Sequence, residues 1–363
     1  MKVKKVMKVL HVLARMNVGG TARYVGRLVE SDPSSLLATG FVQGAENEDD
    51  CVGRLHVARI AHMGRSINPI ADFRAYRELK KLIREYQPDI VHSHTFKAGF
   101  LARLVSGSFK RVHTFHGHLF DDASFSGLQK NLITLAEQFM AGRTDILISV
   151  GKKVGVELRA AGIGARDTWV SIPPGIDALP RVERSIARKS LGVQDDRVLV
   201  GWMARVTSVK NPMLLIEVAK KMPSVSFVMA GGGDMLDEVR ASAPSNLSVI
   251  GWADASTFWS AVDIALSTSD NEGMPIALIE AQYAGVPVVC TDVGSNSEVI
   301  ESGKTGLVVA KNIGALVDAI ATLVESPDLR SAYGKAAVAR ASLEFGVPAM
   351  LEKHHGLYKG LIK

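Results

Sequence analysis

Residues 263–290 read DIALSTSDNEGMPIALIEAQYAGVPVVC, and this stretch decides the fold class. It opens on the short apolar run Asp263–Leu266 and closes on the β-branched run Val286–Cys290. Between them lie a loop punctuated by Gly273 and an apolar segment of helical length, Pro275–Tyr283. Proline suits the first turn of a helix, where its missing N–H leaves no bond unmade. Strand, loop, helix and strand in that order form a βαβ unit, and successive βαβ units build a parallel sheet covered on both faces.

The same alternation runs outward in both directions. In the second half, strands are expected at Val198–Met203, Ser226–Ala230, Leu247–Ile250 and Gly306–Val309, and helices at Met213–Lys221, Met235–Ser242 and Ile313–Val324. In the first half, the strand expectations are Val6–Ala14, Leu36–Gln43, Asp89–His92, Arg111–Phe115, Asp145–Val150 and Thr168–Ile172. Helices are expected there at Thr21–Glu30, Asp72–Tyr86, Leu128–Gly142 and Lys152–Ala161, with Pro88 stopping the second. Between the halves, residues 172–192 (IPPGIDALPRVERSIARKSLG) are rich in proline and charge and place a linker near Pro173–Pro180. With 363 residues, two Rossmann-like α/β domains are expected, 1–173 and 174–345. Parallel sheets bind ligands at the carboxyl ends of their strands, so two such domains offer two binding edges, one per substrate.

Composition narrows the class. A chain that is 47% hydrophobic and 22% charged reads as globular, and no apolar run approaches the roughly 20 residues that span a bilayer. The start, MKVKKVMKVLHVLA, is broken by Lys8 and His11 and followed by Asn17, Gly19 and Gly20. It reads as a buried first strand rather than a secretory signal. Two cysteines far apart, Cys51 and Cys290, make no disulfide framework and fit a reducing cytoplasm. Net charge is uneven, +9 over residues 1–170 and −3 over 171–363. A basic first half matches an anionic partner such as a lipid phosphate, an acidic membrane surface or nucleic acid; a solvated basic face is the plainer reading.

Several loops carry candidate chemistry, each with a bland counterpart. Gly19 and Gly20 let backbone approach a ligand before a helix N-terminus, or form a tight turn. HSHTFKAG and HTFHGH gather His92, His94, His113, His116 and His118 near two strand ends. Strand alternation turns neighbours to opposite faces, so no zinc set is expected to converge. Hydrogen bonding to a polar substrate is the reading for His116, and packing the one for His92 and His113. Arg205 and Lys210, in WMARVTSVKNP, are two fixed cations able to hold a diphosphate, or two solvated ones. Glu272 and Glu280 stand seven residues apart around Gly273, Met274, Pro275 and Ile276, where a helix start exposes N–H groups to phosphate oxygens. Gly231–Gly233 and Trp252 follow two further strands.

Taken together, the E-x7-E segment with GMPIALIEAQYAGVPVV, the upstream WMARVTSVKNP and the N-terminal glycine pair resemble the retaining GT-B glycosyltransferases of family 4 over nearly the whole chain. The closing stretch SLEFGVPAMLEKHHGLYKGLIK resembles that family's last helix, which crosses back to the first domain at about 346–363. The resemblance implies two domains facing across a cleft. It implies Arg205 and Lys210 on the diphosphate, Glu272 and the Gly273–Ile276 backbone at the transferred sugar, and Glu280 on the ribose. Gly232 and the backbone around Trp252 would then serve the donor base, with Gly19 and Gly20 closing over the diphosphate and His116 beside the sugar. His94, Lys97 and His118 are the expected acceptor contacts. Asn211 stands where many relatives carry glycine. No Asp-x-Asp occurs, so catalysis without metal or other cofactor is expected, with a nucleotide-sugar donor, a UDP-sugar foremost, and a polysaccharide, lipid-linked or small-molecule acceptor. A cytoplasmic protein peripheral at a membrane, with no nucleic-acid partner, is the expected setting. Two alternatives stand beside it: a sugar-nucleotide 2-epimerase of the same architecture, and a binding protein without chemistry. A dehydrogenase ranks last among the readings, since no G-x-G-x-x-G follows any strand with an acidic partner about 20 residues on.

Overall fold

The computed structural model describes residues 6–43, 47–64, 68–117, 127–165, 168–193 and 197–363, with backbone alone at residue 128. The chain divides into two compact units, Met1–Gly175 with Val347–Lys363, and Ile176–Gly346.

The first unit runs β1 (Val9–Leu13), α1 (Gly20–Glu30), β2 (Leu36–Thr39), β3 (Val57–Arg59), α2 (Pro69–Tyr86), β4 (Ile90–His94), α3 (Phe96–Leu104), β5 (Lys110–Phe115), α4 (Gly127–Ala141), β6 (Ile146–Ser149), α5 (Lys152–Ala160) and β7 (Trp169–Ser171). The second runs α6 (Arg184–Ser190), β8 (Leu199–Met203), α7 (Pro212–Lys221), β9 (Ser226–Ala230), α8 (Leu236–Ser242), β10 (Leu247–Gly251), α9 (Ala255–Ala261), β11 (Ile264–Ser267), α10 (Ile276–Tyr283), β12 (Val288–Thr291), α11 (Asn296–Val299), β13 (Gly306–Val309), α12 (Ile313–Glu325) and α13 (Pro327–Glu344). The chain then returns to the first unit as α14 (Val347–Ile362).

Both sheets are wholly parallel. The first has seven strands in the order β3-β2-β1-β4-β5-β6-β7, the second six in the order β10-β9-β8-β11-β12-β13. Strand periodicity sorts the second unit's core. Val200, Trp202, Phe227, Met229, Ile264 and Leu266 point to one layer, while Leu199, Val228, Ala230, Ala265, Val288 and Cys290 point to the other. Each large apolar side chain sealed this way contributes about 1.5–3 kcal/mol over leaving it in water.

The structure departs from expectation at several elements. β1 and β2 are shorter than their apolar runs, and burial outlasts pairing after β1, where Ala14 and Met16 stay buried. The short edge strand β3 has too little sequence to show a period. The proline-rich linker gives way to α6 after Pro180, its N-terminus capped by the Glu183 carboxylate accepting from the Ser185 and Ile186 amides. The helices α3 and α9, absent from the expected helices, are each under ten residues, so about two turns rather than a full amphipathic stripe signal them.

Candidate active site

In the second sheet the strand order reverses between β8 and β11. Open α/β sheets bind ligands just outside the carboxyl ends of the strands at such a reversal. Arg205 and Lys210 follow β8, and Glu272 follows β11. The Lys210 ammonium donates to both Glu272 oxygens, at 2.6 and 2.7 Å, and the Ser269 hydroxyl donates to one of them at 2.7 Å. Glu272 is 8% exposed, whereas Arg205 is exposed and makes no ion pair among the described residues. A hollow of about 240 Å³ is lined by Arg205, Lys210, Glu272, Met274, Pro275 and Ile276, together with the ends of β8 and β11. No side chain caps the N-terminus of α10, which starts at Ile276 with Pro275 as its cap, so the helix offers amide donors to this hollow.

Residues outside the motifs brace the loops. The Thr268 hydroxyl donates to the Asn211 carbonyl at 2.8 Å and accepts from the Trp202 indole at 3.0 Å, tying the β11 loop to the Lys210 loop. Asn211 adopts the left-handed conformation (φ 48°), which asparagine tolerates better than most residues and glycine best; that conformation accounts for the interchange noted at this position. The Ser295 amide donates to the Glu272 carbonyl at 3.0 Å. Gly294 (φ +49°) passes so close that a Cβ there would lie 2.0 Å from the same oxygen. Thr268, Ser269, Gly294 and Ser295 escaped the sequence reading, and only the glycine in TDVGSN hints at a close approach. A Cβ on Gly231 (φ +142°) would lie 1.9 Å from the Ala204 carbonyl, so this glycine lets two protein loops meet beside Arg205.

The remaining second-unit candidates stand apart from the hollow. Gly273 lies between Glu272 and the lining residues without lining it. Glu280 is buried on α10, 9% exposed. Trp252 is 79% exposed and lines a different hollow with Asp254 and Thr257; a Cβ on Gly232 would lie 2.6 Å from its indole nitrogen.

The first sheet reverses between β1 and β4. Gly19 caps α1 and Gly20 begins it, after the end of β1. His94 ends β4, and His116 follows β5 by one residue, partly exposed. Two acceptor expectations need correction. His94 is fully buried, its ring nitrogens 3.3 Å from His11 Nδ1 and 3.2 Å from His116 Nε2, so it has no edge left for an acceptor. Lys97 is 12% exposed and its ammonium lies 2.6 Å from an Asp72 oxygen, which already claims the charge. His118 lies outside the described residues.

Strand alternation does not keep all the histidines apart. His11, His92 and His94 do converge, with one nitrogen of each within 4.8 Å of the others. His11 sits beside His92 in register across β1 and β4, and His92 and His94, two apart on one strand, share a face. Five of their six nitrogens nonetheless have hydrogen-bonding partners, both on His92, both on His94 and Nδ1 on His11. His92 hydrogen-bonds with the Tyr358 hydroxyl at 2.6 Å and with Thr114 at 2.7 Å. His354, also on α14, hydrogen-bonds with the Tyr24 hydroxyl at 2.7 Å. Burial pushes the imidazoles of His11, His116 and His354 down to about 3 and those of His92, His94 and His113 well below their ordinary value, so all six are neutral. Burial likewise raises the phenols of Tyr24 and Tyr358.

Two doubly wound units, one presenting cations, a carboxylate and helix amides at its sheet reversal, define an enzyme of the nucleotide-sugar class. Residues 183–340 match the family described as Glycosyl transferases group 1, and residues 18–178 match Glycosyltransferase Family 4. The chain is similar to the Escherichia coli UDP-Gal:alpha-D-GlcNAc-diphosphoundecaprenol alpha-1,3-galactosyltransferase, 26% identical over 299 residues that cover 76% of each chain. It is similar also to the O-antigen biosynthesis glycosyltransferase WbnH of Escherichia coli, 27% identical over 365 residues, covering 97% of this chain and 98% of that one. In fold it resembles Anabaena Alr3699/HepE, solved in complex with UDP and glucose, with a TM-score of 0.83 at 20% identity, covering 98% of this chain and 100% of that one. The chain belongs to the GT-B glycosyltransferases of group 1, family 4. It transfers a glycosyl group from a nucleotide-sugar donor, and the epimerase and binding-protein alternatives are not favoured.

Proposed function

We propose that the enzyme moves a hexosyl or N-acetylhexosaminyl group from a UDP-sugar to a hydroxyl of a lipid-linked or polysaccharide acceptor, with retention and without a bound metal. The observation that carries this reading is the hollow where Arg205, Lys210, Glu272 and the Met274–Ile276 backbone meet at the β8/β11 reversal. Two cations and helix amides there suit a diphosphate leaving group, whose growing charge they stabilise as the C1–O bond breaks. Glu272 is clamped by Lys210 and Ser269, which suits a carboxylate that receives sugar hydroxyls rather than one that attacks C1. The acceptor oxygen then bonds to C1 on the face the phosphate leaves, and its proton passes to a phosphate oxygen. Glu280 is the proposed ribose contact, and His116 a proposed contact to a sugar hydroxyl. The relative that names a UDP-galactose donor and a diphosphoundecaprenol acceptor supports both substrate classes.

Peripheral membrane attachment is part of the proposal, and α2 supports it. At 100° per residue, Ile70, Phe73, Arg74, Arg77, Lys80, Lys81 and Arg84 fall within about 120° of arc, opposite buried Ala75, Leu79 and Ile83. All seven are exposed, Ile70 at 69% and Phe73 at 62%. Five cations facing an anionic leaflet are worth about 1 kcal/mol each. Among the described residues no helix is long and apolar enough to cross a membrane.

Calorimetric titration with UDP, GDP and ADP tests the donor. UDP should bind at least tenfold more tightly than the others, and Glu280→Ala should weaken it by a similar factor. Equal binding of all three, or an unchanged Glu280→Ala, removes the donor assignment. Transfer should persist in EDTA. Sedimentation with phosphatidylglycerol vesicles should be lost in high salt and in the doubly reversed Lys80→Glu/Lys81→Glu; binding to neutral vesicles alone refutes the surface.

A further inference from the structure

Buried histidines are costly when charged and need partners when neutral, so a row of them invites the question of where each proton sits. His11 Nδ1 lies 3.3 Å from His94 Nε2, and His94 Nδ1 lies 3.2 Å from His116 Nε2. The ring centroids are 5.6 and 5.4 Å apart with interplanar angles of 16° and 40°. In each pair the centroid separation is close to the N···N distance plus a ring radius at either end. The nitrogens therefore face one another nearly in line, the geometry of N–H···N hydrogen bonds rather than of lone pairs converging on an ion.

Such a row has a rule. Each neutral imidazole carries one proton, and each gap holds one, because two would clash and none would leave two buried acceptors unmet. All three protons must then point the same way along the row. The tautomer of His116 is thus coupled to that of His94, and through it to that of His11, which His116 does not touch. The same row leaves Nδ1 as the one His116 nitrogen outside it. The ring plane is fixed separately, since Tyr24 packs edge-on to His116 at 4.8 Å and 90°. The end of β4 is also held firmly: Thr95, directly after His94, sits at φ +62°, a conformation that a β-branched residue adopts only when its surroundings impose it.

We propose that His94 and His11 are positioning residues that hold His116 in a single neutral tautomer, so that its Nδ1 meets the sugar always as donor or always as acceptor. This rests on the reading of His116 as a sugar contact. Rows of this kind couple a partly exposed ring to a buried one without placing a charge in the core. They also explain why a strand interior spends two fully buried polar side chains, His11 and His94, where apolar ones would pack.

The test reads the tautomer directly. Long-range ¹H–¹⁵N correlation spectra of the full chain with labelled histidine, assigned by His116→Gln, should show His116 as one neutral tautomer between pH 6.5 and 8. His11→Leu removes the far partner without touching His116. His94→Asn keeps a polar atom toward His116 but cuts the row. Both should turn the His116 signals into a mixture of tautomers and lower kcat by 2- to 10-fold, the fraction of rings left in the competent form. His11→Asn, which keeps a polar atom toward His94, provides the same reading if the leucine variant does not fold. Two tautomers in the native chain, or His116 nitrogen shifts unchanged in the His11 variants, would overturn the proposal. His116→Ala separates the two layers: undiminished transfer would remove His116 as a sugar contact, while the spectra would still decide the row.

Discussion

Mild acid should unfold the first unit and spare the second. All ten histidines lie in residues 11–118 and 354–355, so the second unit has none. Five of them, His11, His92, His94, His113 and His354, are 0–1% exposed, and burial holds each well below its ordinary value. The unfolded chain protonates them near 6.5 and the folded unit does not, so the unfolded state binds more protons and stability is lost as the pH is lowered. The stabilisation is complete above about 6.5 and is lost progressively as pH falls toward the folded values near 3. Between pH 7.5 and 6.0 each such histidine costs about 0.8 kcal/mol, or about 4 kcal/mol for five. That is a large share of the roughly 5–15 kcal/mol that holds a domain together. Glu137, raised by burial despite Arg103, is the carboxyl whose shift has the opposite sign. Urea titration at pH 7.5 and 6.0, read by pulse proteolysis with peptides assigned to each unit, measures both stabilities in one sample. A loss under about 1 kcal/mol in the first unit, or an equal loss in both, would refute the claim that these imidazoles are buried and neutral.

Three further outcomes are expected. Lys210→Ala should lose about 100-fold or more in kcat and also cost about 1–3 kcal/mol of stability, since it removes both a donor for developing charge and the ammonium that pairs with the buried Glu272 carboxylate; steady-state transfer and urea denaturation read the two effects. Gly294→Ala should cost about 1–3 kcal/mol and lower transfer, because its Cβ would meet the Glu272 carbonyl in a left-handed backbone; denaturation midpoints and kcat read the two effects. Arg103 reaches both Glu137 oxygens at 2.7 and 2.8 Å between α3 and α4, so Glu137→Ala leaves a buried guanidinium unpaired and should cost about 3–5 kcal/mol in urea.

The parallel sheets were legible because buried strands and amphipathic helices differ in period over enough residues to count. That Arg205, Lys210 and Glu272 lie in loops after strands was legible for a different reason, the loop residues that flank them, and the structure sets all three around one hollow. Their braces were not, because Thr268 and Ser269 are unremarkable in sequence and act only through partners brought together by the β8/β11 pairing. The histidine row shows the sharper limit. Alternation within β4 puts His92 and His94 on one face, which the sequence reading overlooked, and only the strand register sets His11, from β1, beside His92. His354 and Tyr358 enter from a helix more than 300 residues away from Tyr24, and no local period encodes that distance.

That return of α14 to the first unit bears on the order of assembly during synthesis. Residues 9–171 leave the ribosome first, yet the phenol that meets His92 and the imidazole that meets Tyr24 arrive only with residues 347–362. Until then the first unit carries an unsealed polar face, while the second, contiguous from Ile176 to Gly346, has every strand it needs. The part translated later is thus the part able to mature earlier, and a nascent first unit is the species a chaperone would meet.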